Sequence, residues 1–309
     1  MVERPLIVGR DFGRYRIVDH LGRGTVADVY EVTDRAGRHR ALKVLTPLAM
    51  GDPEVRRGFE REWRVMRRIG HPNVPAVYFF GEIAGLLVCE MELVRGPTLA
   101  ELLPPGHRLD EPDVVALGVS VARTLAGVHE ARVVHRDVKP SNVLLAAGRP
   151  PVLFDFGLAL DLDAVAADEL VPDRVYGSPL YTSPEQALSG RPVGPRSDLY
   201  SLAATLYRAA TGRAPFYGDR TEVLEAHVSA PPDPPSSHAP VSPAFDAVIL
   251  RGLAKDPDER WPDGEAFAAA LAALEPPERP SPARPSRLAR WRQARRRRRV
   301  VRLPSSWPP

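Results

Sequence analysis

The sequence predicts an α+β fold built in two parts, a strand-rich first third and a helix-rich remainder. Three observations predict it. Short β-rich runs alternate with Gly- and Asp-rich turns up to about residue 91. After Gly96 the apolar residues recur at helical spacing. Beyond Glu275 that periodicity stops and Pro, Arg and Ser take over.

In chain order, Tyr15-Arg16-Ile17-Val18, Val29-Tyr30-Glu31-Val32 and Ala41-Leu42-Lys43-Val44-Leu45 read as strands. Residues 53–69 read as a helix, because Val55, Phe59, Met66 and Ile69 make one stripe, and Glu62 lies on that stripe. Two further strands are expected over about 76–81 and 85–91. Residues 112–129 carry Val115, Val119, Leu125 and Val128 at helical spacing, and the apolar helix over 197–210 has a stop signal in Gly212. The Ala- and Leu-rich segment 264–274 closes the folded part. Residues 276–309 hold eight prolines and five consecutive arginines, Arg295 to Arg299. Such a composition cannot bury a core, and this stretch is expected to be a disordered tail.

A chain of 309 residues with 44% apolar and 26% charged residues suits a soluble globular protein with a sizeable core. Cys89 is the only cysteine, so no intrachain disulfide can form, which fits a reducing compartment. No apolar run approaches the roughly 20 residues of a membrane span. The start, with Glu3, Arg4 and Pro5, lacks a signal-peptide pattern. The expected location is the cytoplasm. The net charge of +3 conceals an asymmetry: residues 276–309 contain eleven Arg and one acid, Glu278, and removing their +10 leaves −7 on the rest. Whole-chain basicity is therefore no argument for nucleic-acid binding by the folded part.

The chemistry concentrates in the run from Val134 to Asn142 and in Asp155-Phe156-Gly157, which begins eighteen residues after Asp137. Asp137 could accept a hydroxyl proton, Asn142 and Asp155 could hold a metal ion, and Lys139 could steady a moving phosphate. Upstream lies a glycine-bearing turn between two strands, Leu21, Gly22, Arg23, Gly24, Thr25, Val26, Ala27, Asp28 and Val29. Glycine there lets backbone amides approach phosphate oxygens, although a plain hairpin turn would use the same residues. Lys43 shares a strand face with Ala41 and Leu45, and Glu62 shares a helix face with Phe59 and Met66. Each charge would be costly to bury alone, and the two could satisfy each other, or both could snorkel to the surface.

In this order the motifs resemble those of a eukaryotic-type (Hanks-type) serine/threonine protein kinase of the kind found in bacteria. They are the Gly-rich turn, Ala41-Leu42-Lys43, Glu62, His135-Arg136-Asp137, Asp155-Phe156-Gly157, Ser183-Pro184-Glu185, Asp198 and Arg260. The resemblance implies a bilobal kinase fold over residues 15–275, with a small β-rich lobe over 15–94 and a larger helical lobe over 95–275, after an extension at 1–14. It implies transfer of the γ-phosphoryl of ATP to Ser or Thr hydroxyls of proteins, with Mg2+ or, as a substitute, Mn2+. By the same resemblance Lys43, held by Glu62, contacts the α- and β-phosphates and Asp137 is the catalytic base. Asn142 and Asp155 bind the metal. Val29, Ala41 and Leu144 sandwich the adenine, Met91 is the gatekeeper, and backbone groups of Glu92 and Val94 bond the adenine edge. Met66, Val77, His135 and Phe156 would form a packed column anchored by Asp198. Glu185 and Arg260 would form a buried ion pair, and Lys139 is the serine/threonine signature. A second Asp-Phe-Gly, at Asp11-Phe12-Gly13, precedes the first long strand with no catalytic run before it and reads as a turn.

Several positions depart from the family pattern. Ala27 replaces the third glycine, Ser183 an alanine, and Ser178 a threonine whose hydroxyl would bridge Asp137 and Lys139. Between Leu158 and Gly177 there is no Ser or Thr, only Asp161, Asp163, Asp168, Glu169 and Asp173, with Tyr176 the one hydroxyl. Where relatives carry a phosphate that pairs with the catalytic-loop arginine, here Arg136, a fixed carboxylate, Asp173 by position or else Asp168 or Glu169, is expected to substitute weakly, unless this is simply a solvated acidic loop. The basic tail resembles a juxtamembrane stretch with no span after it. It reads as a solvated linker, as a contact for anionic lipid at the inner membrane, or as a contact for nucleic acid or an acidic partner, including the chain's own −7 remainder. The alternative to an active enzyme is a nucleotide-binding pseudokinase scaffold. A small-molecule kinase of similar fold is disfavoured by Lys139 and Ser183-Pro184-Glu185.

Overall fold

A computed structural model describes residues 6–164, 178–188 and 191–274. The chain divides between Gly96 and Pro97 into two compact units. No helix among the described residues is long and apolar enough to cross a membrane.

The first unit is one antiparallel sheet with two helices. Its strands are β1 (Asp11–Phe12), β2 (Tyr15–Arg23), β3 (Ala27–Thr33) and β4 (His39–Leu45), followed by helices α1 (Pro47–Met50) and α2 (Pro53–Ile69) and strands β5 (Val77–Ile83) and β6 (Leu86–Met91). The spatial order is β1-β2-β3-β4-β6-β5. Alternation buries Tyr15, Ile17, Tyr30, Val32, Leu42, Val44 and Val88 in one apolar cluster. A second cluster joins Leu45, Phe59 and Cys89. Helix α2 starts where Asp52 accepts the backbone N–H groups of Glu54 and Val55 with Pro53 in the first turn, and stops at Gly70, whose φ of 55° is left-handed. Its buried face is Phe59, Glu62, Val65, Met66 and Ile69. The stretch Asp11-Phe12-Gly13 supplies β1 and then a turn with Gly13 at φ 60°, which returns the chain into β2.

The second unit is helical. It runs through α3 (Leu99–Leu102), α4 (Glu111–Glu130), the short strands β7 (Val133–Val134), β8 (Val143–Leu144), β9 (Val152–Leu153) and β10 (Leu160–Asp161), then α5 (Pro184–Ala187), α6 (Pro195–Thr211), α7 (Arg220–Ser229), α8 (Pro243–Gly252) and α9 (Gly264–Ala272). Helix α6 is the centre, with nearly every residue from Ser197 to Thr211 buried. It ends at Gly212, φ 82°. Helix α4 packs against α6 and α9. The α4–α9 approach is so close at Gly264 that a Cβ there would run into the Ala122 carbonyl. Strand β7 pairs with β10, and β8 pairs with β9. These two small ladders hold the irregular segment His135–Asn142 and the turn at Asp155 on the helical base.

Candidate active site

In the first unit, Lys43 and Glu62 meet. The β4 register sets Lys43 opposite Val29 on one side and Cys89 on the other. Its Nζ donates to both Glu62 oxygens at 2.6 Å. Both side chains are largely buried, 17% and 9% exposed, so neither charge would be tolerated alone. The neighbouring Cys89 thiol is pushed up to about 12, first by burial and then by the Glu62 charge, and is inert as a nucleophile. The glycine-bearing segment spans the end of β2, a turn at Gly24–Val26, and the start of β3. Gly24 donates its N–H to the Ala27 carbonyl at 2.9 Å, and a Cβ at Gly24 would lie 2.7 Å from that same oxygen. Leu21 and Ala27 are buried, whereas Arg23 and Thr25 are exposed. Met91 lies opposite Ala41 at the end of β6, and the Glu92 N–H donates to the Ala76 carbonyl.

In the second unit, Asp137, Lys139, Asn142 and Ser178 form one hydrogen-bonded set. Lys139 Nζ lies 2.7 Å from Asp137 Oδ2 and donates to Ser178 Oγ at 3.0 Å. Asn142 Nδ2 donates to the Asp137 carbonyl at 2.9 Å and to its Oδ2 at 3.0 Å. Both amide protons are thus committed to Asp137, which leaves the amide oxygen as the acceptor a cation could use. Burial pushes the Asp137 carboxyl above the usual range, Lys139 opposes that, and the nearby Asp155 charge adds to it. Phe154 N–H donates to the Asn142 carbonyl at 3.1 Å, so the ladder β8–β9 carries Asn142 and Asp155 side by side. Asp155 sits at φ 66°, a left-handed conformation that is strained for a side-chain-bearing residue. Leu144, on β8, is buried. No group of three or more His, Cys, Asp or Glu able to hold a metal occurs among the described residues. Two oxygen ligands from different segments fit a hard cation that keeps its waters and shares phosphate oxygens, as magnesium does.

The catalytic run is fixed from beneath. His135 is fully buried, its Nδ1 accepts the Asp137 N–H at 3.2 Å, and its Nε2 lies 3.2 Å from the Phe154 carbonyl. Those partners select the neutral tautomer that carries its proton on Nε2. The His135 ring packs on Phe156 with centroids 4.6 Å apart. Asp198, on the first turn of α6, accepts the N–H groups of His135 and Arg136, each at 2.8 Å. Arg260 and Glu185 form a two-pronged buried pair at 2.8 Å on both prongs, and Ser197 Oγ donates to Glu185 at 2.6 Å. Burial pushes the Glu185 carboxyl up, but Arg260 and Ser197 outweigh it and hold it below its ordinary value.

Some expectations meet different partners. Ser178 bonds Lys139, and no bond from it to Asp137 is seen among the described residues. Arg136 Nε donates to the Leu158 carbonyl at 2.6 Å. Asp163, in the acidic stretch, pairs with Arg132 at 3.2 Å. Asp168, Glu169, Asp173 and Tyr176 lie outside the described residues. Sequence reasoning passed over two residues: Gln186, whose Nε2 donates to the Arg136 carbonyl at 2.8 Å, and His129, whose Nε2 lies 2.8 Å from Oδ2 of Asp198, the residue that holds the run. His129 ends an otherwise apolar helix, which was the available signal. Gln186 offered none.

Comparison with known proteins agrees with this geometry. Residues 15–272 match the family described as protein kinase domain. The serine/threonine-protein kinase PknE of Mycobacterium tuberculosis is 38% identical over 272 residues, covering 86% of this chain and 47% of the relative. PknH of the same organism is 35% identical over 276 residues, covering 87% of this chain and 43% of PknH. The chain thus spans about half the length of the curated relatives it matches. Among solved structures, the kinase domain of Mycobacterium tuberculosis PknI is 32% identical and superimposes with a TM-score of 0.65, covering 87% of this chain and 98% of that one. With its Lys43–Glu62 pair, its Asp137 cluster and a family match over most of its length, this chain belongs to the protein kinase family.

Proposed function

We propose that the protein transfers the γ-phosphoryl group of ATP to serine or threonine hydroxyls of protein substrates, with Asp137 as the base. The family implies ATP and a divalent metal. The observation that carries the finer reading is the buried set in which Lys139 spans Asp137 and Ser178 while Asn142 donates to the same Asp137 oxygen, Oδ2, that Lys139 meets. It offers a carboxylate oriented by two donors, one of them a cation.

In this reading the substrate hydroxyl oxygen bonds to the γ-phosphorus while the bond to the β,γ-bridging oxygen breaks, ADP departs, and the hydroxyl proton passes to Asp137. Lys139, already bonded to Asp137, follows the transferred phosphoryl oxygens. Lys43, fixed by Glu62, binds the α- and β-phosphates. Backbone N–H groups of residues 22–27 approach the phosphates, Val29, Ala41 and Leu144 enclose the adenine, and Glu92 and Val94 bond its edge beside Met91. Asn142 and Asp155 would hold magnesium, which would supply neutralising positive charge to the phosphates of ATP. The kinase domain is read as 15–275, and the basic stretch 276–309 as an electrostatic contact for an anionic surface.

Asp137→Asn tests the assignment. Transfer of label from γ-labelled ATP to a mixed Ser/Thr peptide pool should fall about 100- to 10,000-fold, the range of a lost general base. ATP affinity, followed with a fluorescent analogue, should stay within about twofold because the side-chain volume is kept. Undiminished transfer by the variant would remove Asp137 from its role. Absence of transfer by the parent protein, with nucleotide still bound, would turn the reading to a scaffold.

A further inference from the structure

Strand β3 buries an acid among apolar neighbours. Glu31 stands between Tyr30 and Val32 and is 1% exposed. A carboxylate left unpaired there would be costly. Its Oε1 is met from two sides, by His39 Nδ1, on the first residue of β4, at 2.5 Å, and by the Arg95 guanidinium. The same Arg95 nitrogen lies 3.3 Å from His39 Nδ1, so the three groups converge on one oxygen. Glu31 Oε2 is buried and meets no donor among the described residues. The carboxylate therefore depends on the partners of Oε1.

This cluster is built onto the residues read as the adenine site. Side chains of a strand alternate between faces, and directly opposed residues share a face. Glu31 is two residues from Val29 and opposite Ala41 in the β3–β4 register, and His39 is two residues from Ala41. Glu31 and His39 thus lie on the sheet face of Val29 and Ala41. Arg95 follows Val94. Residues 92–95, after β6, belong to no helix or strand, so no ladder fixes their backbone. One end is held at Ala76: the Glu92 N–H donates to the Ala76 carbonyl at 2.7 Å, and the Ala76 N–H donates to Glu92 Oε2 at 3.4 Å. The other end is held where Arg95 meets Glu31. Val94 lies between the two anchors.

We propose that Glu31, with His39 and Arg95, is a positioning group for the adenine edge and sets the choice of adenine over guanine. The proposal rests on the reading that backbone groups of Glu92 and Val94 bond that edge. Adenine presents an amino donor where guanine presents a carbonyl acceptor. A backbone held in one place matches the first and is left with an unpaired group against the second. With Arg95 released, the backbone around Val94 gains freedom and the adenine bonds weaken. Guanine, which never made those bonds, loses nothing. None of the three side chains touches a reacting atom, so the effect falls on nucleotide affinity and spares the rate at saturation.

Competition of ATP and GTP against a bound fluorescent ATP analogue, with magnesium present, tests this, because binding is read whether or not transfer follows. Arg95→Met removes the guanidinium from a side chain that is 45% exposed, and Glu31→Gln keeps the shape and removes the charge. Expected for each are ATP affinity lower by about five- to twentyfold, GTP affinity within about twofold of the parent, and kcat at saturating ATP within about twofold. The double variant should bind ATP no worse than the weaker single, because both substitutions break the same tie. Circular dichroism checks the fold, and Arg95→Met decides the matter where Glu31→Gln fails to fold. A parent-like preference for ATP over GTP in folded Arg95→Met overturns the proposal. An equal loss for both nucleotides also overturns it, since the cluster would then serve the fold alone. Additive losses in the double variant overturn the tie between Glu31 and Arg95. A parent that binds neither nucleotide, or GTP as well as ATP, overturns the adenine-edge reading itself and the proposal with it.

Discussion

At the residue scale, the site depends on how one carboxylate is kept usable in a buried place. Burial raises the Asp137 carboxyl, and Lys139 works against that by charge and by hydrogen bond. In its proposed role as base Asp137 must be ionised to act, so the rate should fall on the acid side as it takes up its proton. Removing Lys139 removes the opposing influence, and the proton then binds more readily. In Lys139→Met the acid limb of kcat/KM should therefore move to higher pH, apart from any loss of maximal rate. An unmoved limb, measured over the pH range in which both proteins stay folded, would show that another group sets it. Asp137, Lys139, Asn142, Asp155, Lys43 and Glu62 were all legible in the sequence because each is chemically unusual where it stands: a charge on an apolar stripe, or several oxygen ligands close together. His129 and Gln186 were not. Their meaning lies in partners up to 69 residues away, which a spacing pattern does not carry.

At the scale of elements, long periodic segments were legible nearly to the residue. The helix expected over 53–69 is Pro53–Ile69, where Asp52 and Gly70 mark both ends, and that expected over 112–129 is Glu111–Glu130. Helices α1, α3, α5, α7 and α8 went unread. Helix α7 buries only Val223 and His227, too few residues for a visible stripe. Yet His227 is where α7 is anchored: its Nδ1 lies 2.8 Å from Tyr200 Oη on α6, and the Phe216 ring meets it edge-on with centroids 4.8 Å apart. Lys255 crosses beside it to the Ala226 and His227 carbonyls, at 3.1 and 2.8 Å. Burial, and then the Lys255 charge, push His227 down to about 4 from an ordinary 6.5. The unfolded chain then takes up a proton near pH 6.5 that the native chain refuses until about pH 4. The native state is destabilised progressively as pH falls through that window, by up to about 3 kcal/mol, and the contribution is intact above pH 6.5. Urea unfolding at pH 7, 5.5 and 4.5 should show this decline in the parent and a shallower one in His227→Phe. Equal slopes would mean that another group carries the acid sensitivity. His227→Phe also loses the Tyr200 bond, which lowers stability at every pH and leaves the slope as the readable quantity.

At the scale of the whole chain, charge is partitioned along the sequence more sharply than chemistry. The stretch 276–309 carries +10 and the remainder −7. The eleven arginines of that stretch act through charge on what lies near them: each Arg near an anionic bilayer adds roughly 1 kcal/mol of attraction, within a Debye length of about 8 Å at physiological salt. The opposing −7 weakens that attraction for the chain as a whole, but at such short range it acts only where the folded surface itself comes close. The basic stretch should therefore dominate contact with a flat anionic surface. Vesicles containing 30% phosphatidylserine should sediment the full chain at 50 mM salt and release most of it at 500 mM. Vesicles of phosphatidylcholine should sediment little at either, and a chain ending at Glu275 should stay in solution throughout. Retention of the shortened chain would assign the contact to the folded surface, and binding of the full chain to neutral vesicles would assign it to apolar insertion by Trp291 and Trp307. The same shortened chain should transfer phosphate to soluble peptides at the parent rate, because every residue of the proposed machinery lies between Leu21 and Ser178 and its supporting shell ends at Arg260. Recruitment and chemistry are thus separable in this chain, and a variant that loses one while keeping the other is the sharpest evidence that the charge asymmetry is a device for placement.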